Sequence, residues 1–313
     1  MSFPELPTPA PGEVLLVCTC YQDGTALWGR LLGEIKGRRE GDVLHVEGGR
    51  VRLRVLEGRG WDGLLGGNVP ALVPPGPPAP LVILLADIPV VYGGGAPLLV
   101  DLAQIPGRGV RVPSGRLGEV LGALLDGALT FDHLVGDMDV DGIYQGDAGR
   151  PAFLATATPS RWIFPSLPST AAAMLVRTSF DDEEGWRGLL AQLGGADEEG
   201  WVGRNVDLDE IDVERYPLTA LVVDDRAFED LRPGQVPALV PPREHTTLVA
   251  LADARTFTEP GRPLTVVDLY DTPGQPAILP CDMVGSMTCN LEIANMDFRD
   301  FVPEKDVKPW WER

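Results

Sequence analysis

The heptapeptide Val69-Pro-Ala-Leu-Val-Pro-Pro75 returns letter for letter as Val236-Pro-Ala-Leu-Val-Pro-Pro242. An apolar run ending in Ala-Asp follows in both places, Leu81 to Asp87 and Leu248 to Asp253. A second run comes next, Pro97 to Leu102 against Pro263 to Leu269. The spacing of 167 residues between the heptapeptides also relates Phe131 to Phe298 and Asp139 to Asp306. Such self-similarity constrains the fold before any single element does, because one supersecondary plan must serve twice. A chain of 313 residues has room for two domains. The boundaries expected are 13–149 for the first copy, 150–171 for a linker rich in Pro, Ser, Thr and Ala, and 172–313 for the second.

Within each copy the pattern reads as strand, helix, a variable middle containing a strand, two or three further strands, and a closing helix. That is an α/β fold of the mixed α+β kind built on one sheet. The first strand is Val14–Tyr21, matched by Met174–Phe180. Leu27, Trp28, Leu31, Leu32 and Ile35 stand at helical spacing, as do Trp186, Leu189, Leu190 and Leu193. Asp181 to Glu184 start the second of these helices on the positive end of its dipole, and Gly194-Gly195 ends it. The alternation in Val51–Leu56 predicts a half-exposed strand, and Leu218–Asp224 reads as a strand as well. Leu16 and Leu175 are only 159 apart, so copy two carries 8 more residues before its heptapeptide, in the acidic stretch Ala196–Glu214. The closing helix is expected over 114–135 and 284–302. Residues 1–12, rich in proline and without periodicity, are expected to be disordered or loosely draped. Trp162-Ile-Phe164 in the linker is expected to dock on a domain, and Tyr92-Gly-Gly-Gly95 to form a hairpin turn.

Charge narrows the function classes. The net charge of −20 argues against a nucleic-acid groove, which needs a basic footprint. Residues 172–313 hold 13 basic and 28 acidic side chains, leaving 13 and 18 for the remainder. The second copy therefore carries −15 of the charge and would steer a basic protein partner. No run reaches the ~20 apolar residues of a membrane span, and the opening residues lack a secretory pattern. Four cysteines without a framework point to a reducing cytoplasm.

The segments Leu175-Val-Arg-Thr-Ser-Phe180, Leu251-Ala-Asp-Ala-Arg255 and Asn290-Leu-Glu-Ile-Ala-Asn-Met-Asp-Phe298 resemble an uncharacterised, mainly actinobacterial domain family. Asp141-Gly-Ile-Tyr-Gln-Gly146 in copy one is similar to that family's terminal pattern. Copy one departs where Ala123, Ala128, Leu129 and Thr130 replace Asn290, Asn295, Met296 and Asp297, and where Cys18 replaces Arg177. The resemblance implies a fold and brings no reaction with it.

Most site patterns dissolve on inspection. Asp137-Met-Asp-Val-Asp-Gly142 begins like a calcium loop, but Ala148 stands where the bidentate Glu belongs. Cys18 and Cys20 lack the two-residue spacing of redox or zinc pairs, and His45, His133 and His245 form no ligand motif. Asp87 and Asp101 recur as Asp253 and Asp268, but the nine-residue link from Asp87 to Pro97 is too short for a parallel crossover. An antiparallel pair would put the two carboxylates at opposite ends. No nucleophile elbow, phosphate loop or dinucleotide fingerprint is present. No metal and no cofactor are expected.

Two function classes remain. The first is a non-enzymatic, acidic interaction module that binds, neutralises or recruits a basic protein, as immunity proteins do by analogy. Its surface would include Glu198, Glu199, Asp207 and Asp209 of the acidic stretch. The second is an enzyme or small-ligand binder with a polar site at the closing helix of copy two, built from Arg177, Asn290, Asn295 and Asp297. A purely structural role for the asparagines, capping and tying that helix, competes with the second reading.

Overall fold

The computed structural model describes the chain apart from residues 1–2, 29, 48–50, 77–78, 94–95, 147–158, 160, 205–215, 243–245 and 304–313. By contacts it divides into two units, 1–156 with 270–273 and 157–269 with 274–313. Among the described residues no helix is long and apolar enough to cross a membrane.

The first unit contains β1 (Glu13–Cys18), a short hairpin β2 (Tyr21–Gln22) and β3 (Thr25–Ala26), α1 (Leu31–Glu34), β4 (Gly37–Glu40), β5 (Val43–Val46) and β6 (Arg52–Leu56). It continues with β7 (Val82–Ala86), α2 (Ile88–Gly93), β8 (Leu98–Asp101), β9 (Gly109–Arg111), α3 (Leu117–Leu125) and α4 (Phe131–Gly136). The second contains β10 (Ala173–Arg177), α5 (Glu183–Gln192), β11 (Trp201–Val202), β12 (Ala220–Val223), β13 (Val249–Ala252), α6 (Ala254–Thr258), β14 (Leu264–Val267), β15 (Pro276–Leu279) and α7 (Val284–Glu292).

The strand orders are β4-β5-β6-β1-β7-β8-β9 and β11-β12-β10-β13-β14-β15. Five strands therefore recur in the same order. β6 and β7 flank β1 in parallel, as β12 and β13 flank β10. Two antiparallel strands then complete each run, β8 and β9 or β14 and β15. The registers agree too: Leu16 lies between Val55 and Leu84, and Leu175 between Val222 and Ala250. The duplicated plan is thus visible in hydrogen bonding as well as in sequence. The link between β7 and β8 begins with the short helix α2, which takes up Tyr92 and Gly93 of the expected hairpin turn; Gly94 and Gly95 lie outside the described residues, and the two strands are antiparallel as expected.

Alternation along the central strands divides the first core in two. Val14, Leu16, Leu84 and Ala86 face α3 and α4, where Leu117, Val120, Leu121, Phe131 and Leu134 are buried. Leu15, Val17, Ile83 and Leu85 face Trp61, Leu64, Val69 and Leu6. The edge strand β4 is exposed throughout and carries Arg38, Arg39 and Glu40, charges that discourage edge-to-edge pairing.

Three expectations need correction. The helix expected from Thr25 is a hairpin followed by the single turn α1, because positive φ at Asp23 and Gly24 reverses the chain there. The closing helix breaks in both copies, at Gly127 (φ +71) and at Ala294 (φ +52). These two positions are 167 apart, and each is followed by a bond spanning five residues, Ala128 N–H to Ala123 O and Asn295 N–H to Asn290 O. Both breaks are therefore the same left-handed C-terminal cap.

The third correction concerns the proline-rich segments. Phe3-Pro-Glu-Leu-Pro7 and Phe164-Pro-Ser-Leu-Pro168 are one pentapeptide with a variable centre. Each runs as an arm ahead of its first strand. Leu6 and Leu167 are both 3% exposed. Leu6 N–H donates to Leu72 O at 2.9 Å, and Leu167 N–H to Leu239 O at 2.8 Å, the same leucine of the repeated heptapeptide. The arms are packed parts of the domains. Trp162 and Ile163, in contrast, are 55% and 82% exposed, so the triplet they begin does not dock as a block.

Ala294 holds a conformation that costs a residue with a Cβ about 1–2 kcal/mol. Ala294→Gly relieves that cost against the larger unfolded-state entropy of glycine, and a net gain of about 0.5–1 kcal/mol in urea denaturation is expected.

Candidate functional site

Parallel strands buried on both faces leave polar chemistry to their ends, and in open sheets ligands meet the carboxyl ends. In the second unit that edge is formed by Arg177, Asp224 and Asp253, which end or immediately follow β10, β12 and β13. In the first unit the same positions hold Cys18, Glu57 and Asp87.

One contact is shared. Trp186 Nε1 donates to Asp224 Oδ2 at 2.9 Å, and Trp28 Nε1 donates to Glu57 Oε1 at 2.8 Å. The rest differs. Arg177 is buried to 2% exposure and its guanidinium lies over the rings of Phe180 and Trp186. Its Nη1 donates to Glu183 Oε2 at 2.9 Å and Asp224 Oδ1 at 3.3 Å, and its Nε to Ser179 O at 3.1 Å. Nη2 is enclosed and has no hydrogen-bond partner among the described residues. A buried cation thus pins two carboxylates whose side chains are 64% and 43% exposed. At this edge of the first unit the buried cation is Arg111, which reaches Asp87 in a bidentate pair at 3.1 and 2.8 Å.

The structure brings some of the sequence-derived candidates together and separates others. The antiparallel pairing of β11 with β12 sets Gly200 O against Val222 N–H, so the preceding turn with Glu198 and Glu199 lies at the carboxyl edge of β12. Glu199 is tied to Arg204 at 2.6 Å, while Glu198 is exposed. Asp207 and Asp209 lie outside the described residues. Asn290, Asn295 and Asp297 do not join Arg177. Thr247, just before β13, donates through its hydroxyl to Glu292 at the end of α7, which fixes that end at the amino edge of the strands. Roughly 15 Å of β10 separates the two edges.

The asparagines are consumed locally. Asn290 Nδ2 donates to Ser286 O at 2.8 Å, and Asn295 Nδ2 to Asn290 Oδ1 at 2.7 Å. Asn295 and Asp297 are exposed, and Asn290 is half-buried. The side-chain clamp spans Ala294, the residue that lacks glycine's freedom; copy one, with Gly127 there, has Ala123 and Ala128 instead. Asp297 N–H donates to Asp300 Oδ2 at 2.9 Å at the start of the next turn.

Other carboxylates and thiols serve the fold. Asp101 accepts from the N–H groups of Ala103, Gln104 and Ile105 and from Arg108. It pairs in register with Val82, at the opposite end of β7 from Asp87. In the acidic turn after α4, Asp139 accepts from Ile143 N–H and Gln145 Nε2, and burial pushes its carboxyl above the usual range. Among the described residues no cluster of three or more His, Cys, Asp or Glu could hold a metal ion; Ala148 and His245 lie outside them. Cys18, Cys20 and Cys281 are buried free thiols, and Cys289 is half-buried. Burial raises all three of the buried ones and, with Cys18 and Asp87 adding to the effect, pushes Cys20 up to about 12.

Comparison with known families places this duplicated arrangement. Residues 13–147 and 172–309 each match a single family, described as a domain of unknown function (DUF6924). The chain belongs to this family. No curated protein and no solved structure matches it. The DUF6924 spans begin at β1 and β10 and leave out both packed arms.

Two measurements test this edge. Arg177→Met leaves its carboxylates hydrated, whereas Asp224→Ala removes a partner from an enclosed guanidinium and the acceptor of Trp186. Asp224→Ala should therefore cost more, about 3 kcal/mol against about 1–2 kcal/mol, in paired urea titrations. Burial raises both thiols, and Cys20, pushed up to about 12, stays protonated as pH rises from 8 to 9, where an ordinary thiol ionises, while Cys18 is shifted the same way and is fully enclosed. Iodoacetamide at pH 8 should leave both unmodified by mass spectrometry until the chain is unfolded.

Proposed function

We propose that this protein is a non-enzymatic binding module whose second copy engages a basic protein partner at the carboxyl edge of β10 and β12. The observation that carries the reading is Arg177, a buried cation that orders Glu183 and Asp224 while leaving both open to solvent. Around them stand the exposed Asp181, Glu198 and Asp225, carried by the turns that leave β10, α5 and β12, and Glu184 in the first turn of α5. Six carboxylates outnumber the enclosed Arg177 and the exposed Arg226 that stacks on Phe180, which leaves a negative surface that attracts Lys and Arg side chains and repels nucleic acid. The first copy lacks the cation on its central strand, and residues 1–171 together carry only −5 of the net charge, so it serves as a scaffold in this reading. Buried free thiols accord with a reducing compartment such as the cytoplasm.

The test uses the full chain as bait in an extract of the source cells, beside a variant carrying Asp181→Asn, Glu184→Gln, Glu198→Gln and Asp225→Asn. These exposed changes should leave stability within about 0.5 kcal/mol. The wild-type chain should capture a basic protein whose on-rate falls with salt, and the variant should lose both capture and salt dependence. Unchanged capture by the variant, together with loss on neutralising the first copy, would reject the assignment.

A further inference from the structure

Each arm meets a seat that the heptapeptide provides. In the first copy Leu6 lies among Leu15, Trp61, Leu64 and Val69, and Phe3 packs on the same cluster. Pro4 rides over Gly60, where an added Cβ would stand 3.3 Å from its ring. A small pocket of about 70 Å³ continues the seat past Pro7 and Pro9 to Pro74 and Pro80. In the second copy Gln235 Nε2 also donates to Arg161 O at 2.8 Å, just ahead of the arm. No residue of either arm lies in a strand, so neither is held by a sheet ladder.

The first arm reaches β1 through a turn. Glu13 N–H donates to Ala10 O at 2.9 Å, Ala10 N–H to Glu13 Oε2 at 2.8 Å, and Gly12 supplies φ +71. The residues between seat and turn, Pro7-Thr-Pro-Ala-Pro11, are stiff and favour extension. A short segment seated by Phe3, Pro4 and Leu6 and joined by a proline-rich hinge is the element that chains exchange at low cost, since every seat contact is reproduced in trans.

We propose that the seat is an exchange site: the Phe3–Pro7 arm of one chain occupies the seat of a second copy, giving an arm-exchanged dimer. The occupant is a second copy because the sequence the seat accepts is the chain's own, and it accepts that sequence twice. The closed form depends on the Gly12 turn, which the exchanged form does not require. Gly12 is exposed, so altering it shifts the balance without touching the seat.

Sedimentation velocity on the full chain tests this with two variants. Gly12→Ala penalises the closed turn in each of the two chains and should raise the dimerisation constant about a hundredfold. Adding Leu6→Asp should return it to the monomer. A Gly12→Ala chain as monomeric as wild type up to millimolar concentration, or a dimer that survives Leu6→Asp, overturns the proposal. Hydrogen exchange on the wild-type chain needs no variant. Leu6 N–H should exchange at least a hundredfold faster than Leu16 N–H, because the arm must open while the sheet stays closed. Equal rates would mean that the arm leaves only on global unfolding, and would overturn the proposal as well.

Discussion

The burial of β1 and β10 on both faces governs the rest of the structure. Leu15, Leu16, Val17 and Cys18 are each at or below 1% exposure, and Ala173 to Val176 are at 0%. Such strands have no solvent face on which to place a polar side chain. Every group able to meet a partner is therefore pushed to a strand end, and the parallel neighbours bring three ends together. The helices and arms follow from the same constraint, since each sheet face needs its own cover: α3 and α4 on one side of the first sheet, Leu6 and the heptapeptide turn on the other.

Duplication lets one edge be compared with itself. The indole-to-carboxylate bond survives in both copies, while the buried cation has moved. Arg111 on β9 faces Asp87 in the first, and the matching register position on β15 is Ile278. In the second, Asp253 no longer needs a cation: it caps α6 through Arg255 N–H and accepts from Thr265 Oγ1. Arg177 has taken the place of Cys18 and pairs with Asp224 instead. A buried guanidinium without a carboxylate is prohibitively costly, so cation and partner had to change together. What differs between the copies is where charge is exposed, and the backbone plan is unaffected.

The duplication and the antiparallel pairing of the two strands around Asp87 and Asp101 were legible because hydrophobic runs and their recurrence encode them directly; the order of the strands in the sheet was not. The acidic weighting of copy two was legible from composition. The hairpin at Tyr21–Ala26 was not, since Leu27, Trp28, Leu31 and Leu32 mimic a helical stripe although Asp23-Gly24 reverses the chain just before them. Nor was the break of the closing helix, because Ala294 gives no glycine signal at a left-handed position. The polar patch around Asn290 failed for a related reason: spacing along a helix does not say which sheet edge its end reaches, and Thr247 decides that. A usable signal did exist for Arg177, an arginine closing a strand that is otherwise apolar throughout.

The arms were missed because proline hides periodicity, yet they explain the heptapeptide. Val69 and Val236 are at 0% exposure and floor the domain; Leu72 and Leu239 turn a carbonyl outward to an arm. A short 3-10 turn places these two functions three residues apart, with Pro70 and Pro237 giving up an N–H that such a turn leaves free. The middle of the arm, Glu5 or Ser166, faces solvent and varies, while its phenylalanine, leucine and prolines do not. Ala71 and Ala238 are exposed in both copies. The invariant letters otherwise sort by contact: side chains that fill the seat, backbone that receives the arm, and prolines that hold both in shape. That sorting makes arm and heptapeptide a single recognition unit, built once and used twice.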